Sequence, residues 1–228
     1  MQLNIYQAFL LISVSTSTLL TTPGYAANPE HVKQLLNTNK CFNCDLSGAN
    51  LQGATLMQAN LYQANLQGAN LQGATLMQAN LYQAKLSKAN LSKANLQGAV
   101  FLQANLQGAN LSEAKLQGAV FLQATLYQAN LQGAILLLAN LQGANLSKAN
   151  LQGSYLSQAN LLQANLQGAN LSQANLSQAN LVKANLSKAN LQRAILVLAN
   201  LLRANLQGAN LQGANLQGAV MSDGKIHP

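Results

Sequence analysis

The chain has 228 residues and a formal net charge of +8, yet only 7% of its residues are charged, against about 25% in ordinary soluble domains. Its 49% hydrophobic content includes no Trp and few aromatic residues, a bias that excludes an ordinary globular core and indicates a repeat. With four acidic residues and two histidines in the whole sequence, we expect no enzyme, no metal site and no cofactor.

The first predicted element is an export signal. The apolar segment Ala8–Leu20 has the length of a signal-peptide core, and a small-residue pattern follows Pro23 and ends at Ala26. We therefore expect a signal peptide over residues 1–26, with 27 as the alternative last residue. Because no Lys or Arg precedes Lys33, an uncleaved N-terminal membrane anchor is the competing interpretation.

Residues 27–44 predict a helical cap with a cysteine pair. Asn28 is a suitable N-cap before Pro29, and the spacing of Val32, Leu35 and Leu36 forms one apolar face that can lie over the next element.

Cys41 and Cys44 follow this helix in phase with the downstream repeat, so both side chains should point inward. A structural disulfide is our first interpretation, since an oxidising compartment permits it. Two buried free thiols are the next alternative. A redox-active pair lacks the expected βαβ surroundings, and a metal site would have only His31 as a further nearby ligand.

From Asp45 to Met221 the chain repeats every five residues as Ala-Asn-Leu-x-x. Phe101 and Phe121 alone replace Leu before Met221, and Ser154 alone replaces Ala. A helix would distribute these Leu residues around all its sides, and a flat strand would alternate them between faces. The period therefore predicts a chain that turns a corner at each repeat and keeps Leu and Ala inside.

The number of corners follows from a longer period. The segment Thr55–Ala64 recurs as Thr75–Ala84, and Val100–Ala104 recurs as Val120–Ala124, both after twenty residues. Four repeats thus form one coil, and residues 45–221 predict a solenoid of about nine coils stacked at the usual strand spacing. The tail, residues 222–228, shows no helix that would cover the last coil.

The Ala-Asn-Leu-x-x pattern resembles the pentapeptide-repeat family, with its signature A(D/N)LXX, over about three-quarters of the chain. The resemblance implies an all-β fold, a right-handed quadrilateral β-helix, here with a short N-terminal capping helix. With its predicted export signal, short helix and cysteine pair, the chain is similar to exported members of the family found in cyanobacteria. This similarity implies that the protein is located in the periplasm or a thylakoid lumen.

The outward positions differ among the four predicted sides. The side that contains Asn50 and Asn210 is polar in every coil, and we expect its Asn side chains to form an amide ladder. The opposite side has an apolar column that is interrupted by Gln142. We predict this column to be an interface. Its members are Phe42, Tyr62, Tyr82, Leu102, Leu122, Leu162, Val182 and Leu202. Tandem duplication without function is the alternative explanation.

These features favour a non-catalytic binding or scaffolding rod whose partner is an unknown protein or a second copy. The alternative is an electrostatic binder of anionic lipid or polysaccharide, since the rod is basic. Nucleic acid is not expected, because aromatic residues do not alternate with the Lys residues. Some members of the resembled family bind DNA gyrase by imitating DNA, which requires a negative surface that this chain lacks.

Overall fold

A computed structural model describes residues 26–228. The predicted signal peptide lies outside the described residues except for Ala26. No helix in the described range is long and apolar enough to cross a membrane.

The single helix of the described chain, α1, spans Pro29–Thr38. The side chain of Asn28 accepts hydrogen bonds from two backbone N–H groups of the first turn, at 2.9 and 3.4 Å, as an N-cap does. The helix ends at Asn39, which adopts a left-handed conformation with φ 55° and donates its N–H to the carbonyl of Leu35. Leu35 is fully buried, so α1 contributes to the core of the solenoid.

Residues 40–220 form a four-sided solenoid. Every fifth residue pairs in a parallel β-bridge with the residue twenty positions later, from Lys40 with Asn60 to Asn200 with Val220. Each side holds one bridge residue per coil, so the described residues contain no longer β-strand. In a typical coil, Leu131 donates its N–H to Asn150 at 2.7 Å, and Asn150 donates to Ala129 at 2.9 Å. These bonds join each coil to the next.

Each corner is a tight turn over the two variable residues. The N–H of the Ala that follows donates to the carbonyl of the preceding Leu, at 2.8–3.1 Å. The second variable residue is left-handed, with φ from 54° at Gln63 to 69° at Gly208. Gly adopts this conformation without strain, which explains its frequency at the position. One such turn in every five residues produces the period.

The interior consists of stacked Leu and Ala side chains, and the predicted inward pair is confirmed. The rings of Phe101 and Phe121 stack with centroids 4.6 Å apart. Ser154 is also fully buried, and its hydroxyl donates to the carbonyl of Leu151 at 2.7 Å. The one polar replacement in the Ala series therefore has a hydrogen-bond partner, as a buried hydroxyl requires.

The four sides are named here by their bridge residues. Side 1 holds residues 45–205, side 2 residues 50–210, side 3 residues 55–215 and side 4 residues 40–220, each at intervals of twenty. The apolar column lies on the corner after side 4 and is called the apolar ridge.

The C-terminal end is covered on one side only. The tail folds back so that Ile226 pairs antiparallel with Val220 of side 4, although no helix forms there. The last Leu residues of the other three sides, Leu206, Leu211 and Leu216, are only partly buried.

Candidate interaction surface

Side 2 is a continuous amide ladder, as expected from the sequence. From Asn70 to Asn210, each Asn Nδ2 donates to Oδ1 of the Asn one coil earlier, at 3.1–3.4 Å. The same oxygen also accepts the backbone N–H two residues later, as Asn130 does from Gln132 at 3.2 Å. Its side-chain amides are thus engaged within the rod, and the ladder is structural.

The apolar ridge is half-buried for most of its length. Phe42 is 61% exposed, whereas all its later apolar members are partly covered. Tyr62 and Tyr82 illustrate the cause, since their ring centroids lie 5.4 Å apart at a 52° tilt. Side chains that recur at the spacing of one coil cover part of one another, and an apolar strip interrupted only at Gln142 is left along the corner.

Within the coils from Met57 to Val220, the most exposed apolar side chains lie on side 3 and on the corner that follows it. Leu138 and Leu198 are 65% and 57% exposed, and both adopt the left-handed corner conformation. They are accompanied by Met57, Leu137, Tyr155 and Ile195. The predicted interface set names only the ridge, although the sequence pattern shows the apolar bias of side 3. The exposed apolar surface is therefore wider than that set.

A shallow depression interrupts the ridge at its middle. It has a volume of roughly 280 Å³ and is lined by Leu102, Leu122, Gln123, Gln142, Gly143 and Gln163. The cause is Gly143, because Gln occupies the same corner position in the coils on either side.

The same glycine ends a ladder of Gln side chains along the ridge. Gln63 donates to Gln83 at 2.7 Å, Gln83 to Gln103 at 2.9 Å, and Gln103 to Gln123 at 3.2 Å. At Gly143 no side-chain acceptor follows for Nε2 of Gln123 within the described chain.

Basic side chains line the polar half, sides 1 and 2 with their corners. The set is Lys85, Lys88, Lys93, Lys148, Lys188 and Arg193. Lys93 lies 3.8 Å from Glu113, which is the only ion pair within the described coils. Lys148 lies 5.8 Å from the ring centroid of Tyr127. The ridge carries Lys183 and Arg203 near its C-terminal end, both exposed.

Cys41 and Cys44 lie at the N-terminal end, both buried and joined by a disulfide with an S–S distance of 2.05 Å. Asp45 follows them, and its backbone N–H donates to Nδ1 of His31 in α1 at 3.0 Å. Asn28 donates its N–H to the carbonyl of Asp45 at 3.1 Å. The helix is therefore hydrogen-bonded directly to the first coil.

The carboxylate of Asp45 takes the place that Asn has in later coils. It accepts hydrogen bonds from the hydroxyl of Ser47 at 2.7 Å, from the N–H of Ser47 at 3.1 Å and from Asn65 at 3.1 Å. The Ser47 hydroxyl is the main cause that lowers the pKa of Asp45, and partial burial opposes it. No group of three or more His, Cys, Asp or Glu residues that could hold a metal ion occurs in residues 26–228.

The comparisons with known proteins concern the repeat. A family profile described as Pentapeptide repeats matches in eight copies, over residues 40–78, 76–112, 84–123, 104–143, 139–178 and 184–223. HetL, a pentapeptide repeat protein involved in heterocyst differentiation regulation in the cyanobacterium Nostoc sp. strain PCC 7120, is 32% identical with a TM-score of 0.56. The match covers 89% of this chain and 100% of HetL.

Two further solved structures are more distant. A pentapeptide repeat protein from the Arabidopsis thaliana thylakoid lumen is 30% identical, with a TM-score of 0.33 over 57% of this chain and 77% of its own. QnrB1, a plasmid-mediated fluoroquinolone resistance protein, is 22% identical, with a TM-score of 0.44 over 77% of this chain and 87% of its own. No curated protein matches the sequence significantly.

Proposed function

The chain belongs to the pentapeptide-repeat family, whose members form right-handed quadrilateral β-helices, and from this premise we propose that it is a non-catalytic binding rod. Its contact surface is the apolar half: the ridge, side 4, side 3 and the corner between them. Proteins of this family generally serve as structural or binding elements, which supports the assignment to a binding class.

One observation carries the proposal. Of the twenty-one outward apolar residues from Phe42 to Val220, twenty lie on the apolar half and only Tyr127 lies elsewhere. Random placement over four equivalent sides would put about half of them there, and a contiguous apolar patch on a soluble protein usually marks an interface. The ladder on side 2 shows that polar residues stabilise the same coil geometry, so the fold does not require the apolar ones.

The N-terminal end of the rod is proposed to be a cap that completes the core. Leu35 of α1 is buried with the disulfide of Cys41 and Cys44, and the bonds from α1 to Asp45 hold the helix to the first coil. Solenoids need such end caps, since a terminal coil has only one neighbour.

Export to the periplasm or a thylakoid lumen belongs to the same proposal. It rests on the apolar segment Ala8–Leu20 and on the disulfide, since disulfides persist in oxidising compartments. The alternative is an uncleaved anchor at the N-terminus. Cell fractionation shows which compartment contains the protein. Identification of the N-terminal residue of the purified protein then shows whether the signal peptide was cleaved or kept as an anchor.

A second candidate function is electrostatic binding of an anionic lipid or polysaccharide surface. It is favoured by the basic side chains of the polar half, of which only Lys93 has an acidic partner within the described coils. Attraction of this kind weakens as salt screens the charges. Binding to anionic vesicles that is lost in salt, and kept when the ridge is altered, would favour it.

The test of the leading proposal is the triple substitution Leu102→Gln, Leu122→Gln and Leu162→Gln. It removes the middle of the ridge and leaves every inward residue unchanged, so the melting temperature should stay near that of the wild type. We expect loss of self-association in sedimentation, or loss of the partner in a pull-down from the native fraction. The matched control replaces Gln72, Gln132 and Gln192, on the corner after side 2, by Asn.

If the triple variant still forms a dimer, the contact lies at the open C-terminal end instead of the ridge. A wild-type monomer whose native pull-down is unaffected by the triple change would refute the proposal, and the ridge would then be a product of duplication.

A further inference from the structure

We propose that the ridge binds the ridge of a second copy that runs antiparallel to it, with a two-fold axis between Leu122 and Gln142. This inference rests on the proposed function and adds the identity of the partner and the register. In this register Leu102 faces Leu162 of the partner, and Tyr62 faces Leu202 of the partner. A two-fold contact needs one self-complementary patch, and three features of the ridge supply it.

The first feature is the symmetry of the ridge, from Tyr62 onward, about its depression. From residue 62 to residue 202 the ridge passes through eight coils, and the midpoint of this stretch lies between Leu122 and Gln142. The depression is centred at the same place, since Leu122, Gln123, Gln142 and Gly143 form its middle. A two-fold axis at this point pairs each of the eight positions from Tyr62 to Leu202 with another, while Phe42, one coil earlier, lies outside the paired stretch.

The second feature is the missing side chain at Gly143. In the proposed register, Gln123 of the partner faces Gly143 and occupies the space that the glycine leaves. The Nε2 of Gln123, which has no side-chain acceptor at the next corner of its own chain, then lies against the partner's side of the depression. The same contact occurs twice because the axis relates Gln123 and Gly143 in both directions.

The third feature is the distribution of charge along the ridge. Lys183 and Arg203 lie toward one end, and the paired rings of Tyr62 and Tyr82 lie toward the other. An antiparallel partner brings each cation beside an aromatic ring, which attracts it through its π face. A parallel partner would instead place Lys183 against Lys183 of the other copy. The charges therefore favour the antiparallel arrangement over the parallel one.

The size of the contact sets its strength. Together with the second corner position beside it, the ridge offers two residues in each of eight coils, fewer than the roughly 20–30 residues per partner of a stable interface. We therefore expect a reversible dimer, to be measured by sedimentation equilibrium from about 1 μM to 1 mM protein.

The first variant is Gly143→Gln, which fills the depression. Gln has the same left-handed corner conformation at Gln123 and Gln163, and a Cβ at Gly143 would lie 3.8 Å from the nearest side-chain atom, in ordinary contact. The fold should therefore tolerate the change, while the dissociation constant of the dimer should rise at least about tenfold. The control is Gly153→Gln, on the corner after side 2, where a Cβ meets nothing within 4 Å.

The second test addresses the register. Tyr62→Lys should weaken the dimer because it sets an ammonium group beside Arg203 of the partner, and Arg203→Glu should weaken it by removing the cation from Tyr62. The double variant pairs Lys with Glu across the axis and should restore at least most of the lost affinity. Both positions are on the surface, and Glu113 shows that Glu adopts this corner conformation, with φ 57°.

Normal dimerisation of Gly143→Gln, or a double variant weaker than either single one, would overturn the register. If the wild-type protein stays monomeric at the highest concentration, the proposal that the partner is a second copy of this chain is refuted. In that case the proposed function still stands if the ridge triple variant loses its native partner, so the two failures are distinguishable.

Discussion

At the scale of single residues, three chemical roles define the repeat, and the second of them occurs wherever the repeat contains Asn. Leu and Ala fill the interior, the side-chain oxygen of Asn binds the backbone N–H two residues later, and the second variable residue takes the left-handed corner. Asn suits its position because its carbonyl accepts the N–H of the turn and its amide donates to the neighbouring coil. Each role depends on chemistry within one repeat or between adjacent coils.

The inward and outward roles can be tested on neighbouring residues. Leu131 is fully buried and Gln132 is exposed, so Leu131→Lys places an unpaired ammonium in the core while Gln132→Lys extends into water. We expect the first to cost more than about 3 kcal/mol of unfolding free energy and the second to stay within about 0.5 kcal/mol. Thermal and denaturant melts measure both, and equal losses would contradict the assignment.

At the scale of elements, the described chain has one helix, and its role differs from that of the coils. α1 brings Leu35 to the core and binds the first coil through His31 and Asn28. The C-terminal end has no such helix. The tail pairs with side 4 through the bridge of Ile226 with Val220 and through backbone hydrogen bonds of Lys225 and His227. The rod therefore has a well-covered first coil and a last coil that is open on three sides.

We expect the disulfide of Cys41 and Cys44 in protein purified from its native compartment. Intact mass after alkylation without reductant should show no added label, whereas reduction first should add two. Because the bond closes a loop of only a few residues, its removal by a double Cys→Ser change should cost about 2 kcal/mol. Two labels without reductant would establish free thiols in the cap.

At the scale of the whole molecule, the rod is a one-dimensional stack in which each coil contacts only its neighbours. Its stability is close to a sum of coil and interface terms. The side on which a residue lies depends on the number of residues in each coil. A surface such as the ridge therefore requires two periods at once, five for the fold and twenty for the alignment of its members.

Deletions can separate these two periods. Removal of residues 135–154 takes out one coil and keeps every column aligned, whereas removal of 145–154 keeps the period of five but moves the later ridge to the opposite side. We expect both variants to fold with similar melting temperatures, because each keeps Leu and Ala inside and places an Asn, Asn160 or Asn170, one coil after Asn130 on side 2. Removal of seven residues, 145–151, should abolish cooperative melting. Circular dichroism melts compare the three, and equal melting temperatures for all three would contradict the role of the period.

Much of this architecture could be predicted from the sequence because it follows from local periodicity. The inward pair, the twenty-residue coil, the N-cap at Asn28 and the amide ladder of side 2 each depend on residues at fixed separations. The surface was predicted less completely. The ridge was identified as a column, but its half-burial and the greater exposure of Leu138 and Leu198 were not.

The sequence by itself determined which residues point inward and on which side each outward residue lies, because a corner every five residues leaves no other arrangement for Leu and Ala. Only the tertiary structure decided how much of each outward side chain stays exposed, where the ridge is interrupted by a depression, and how the tail covers the last coil. These depend on neighbours one coil away, about 4.8 Å above or below, whose side chains cover one another or, at Gly143, leave a gap.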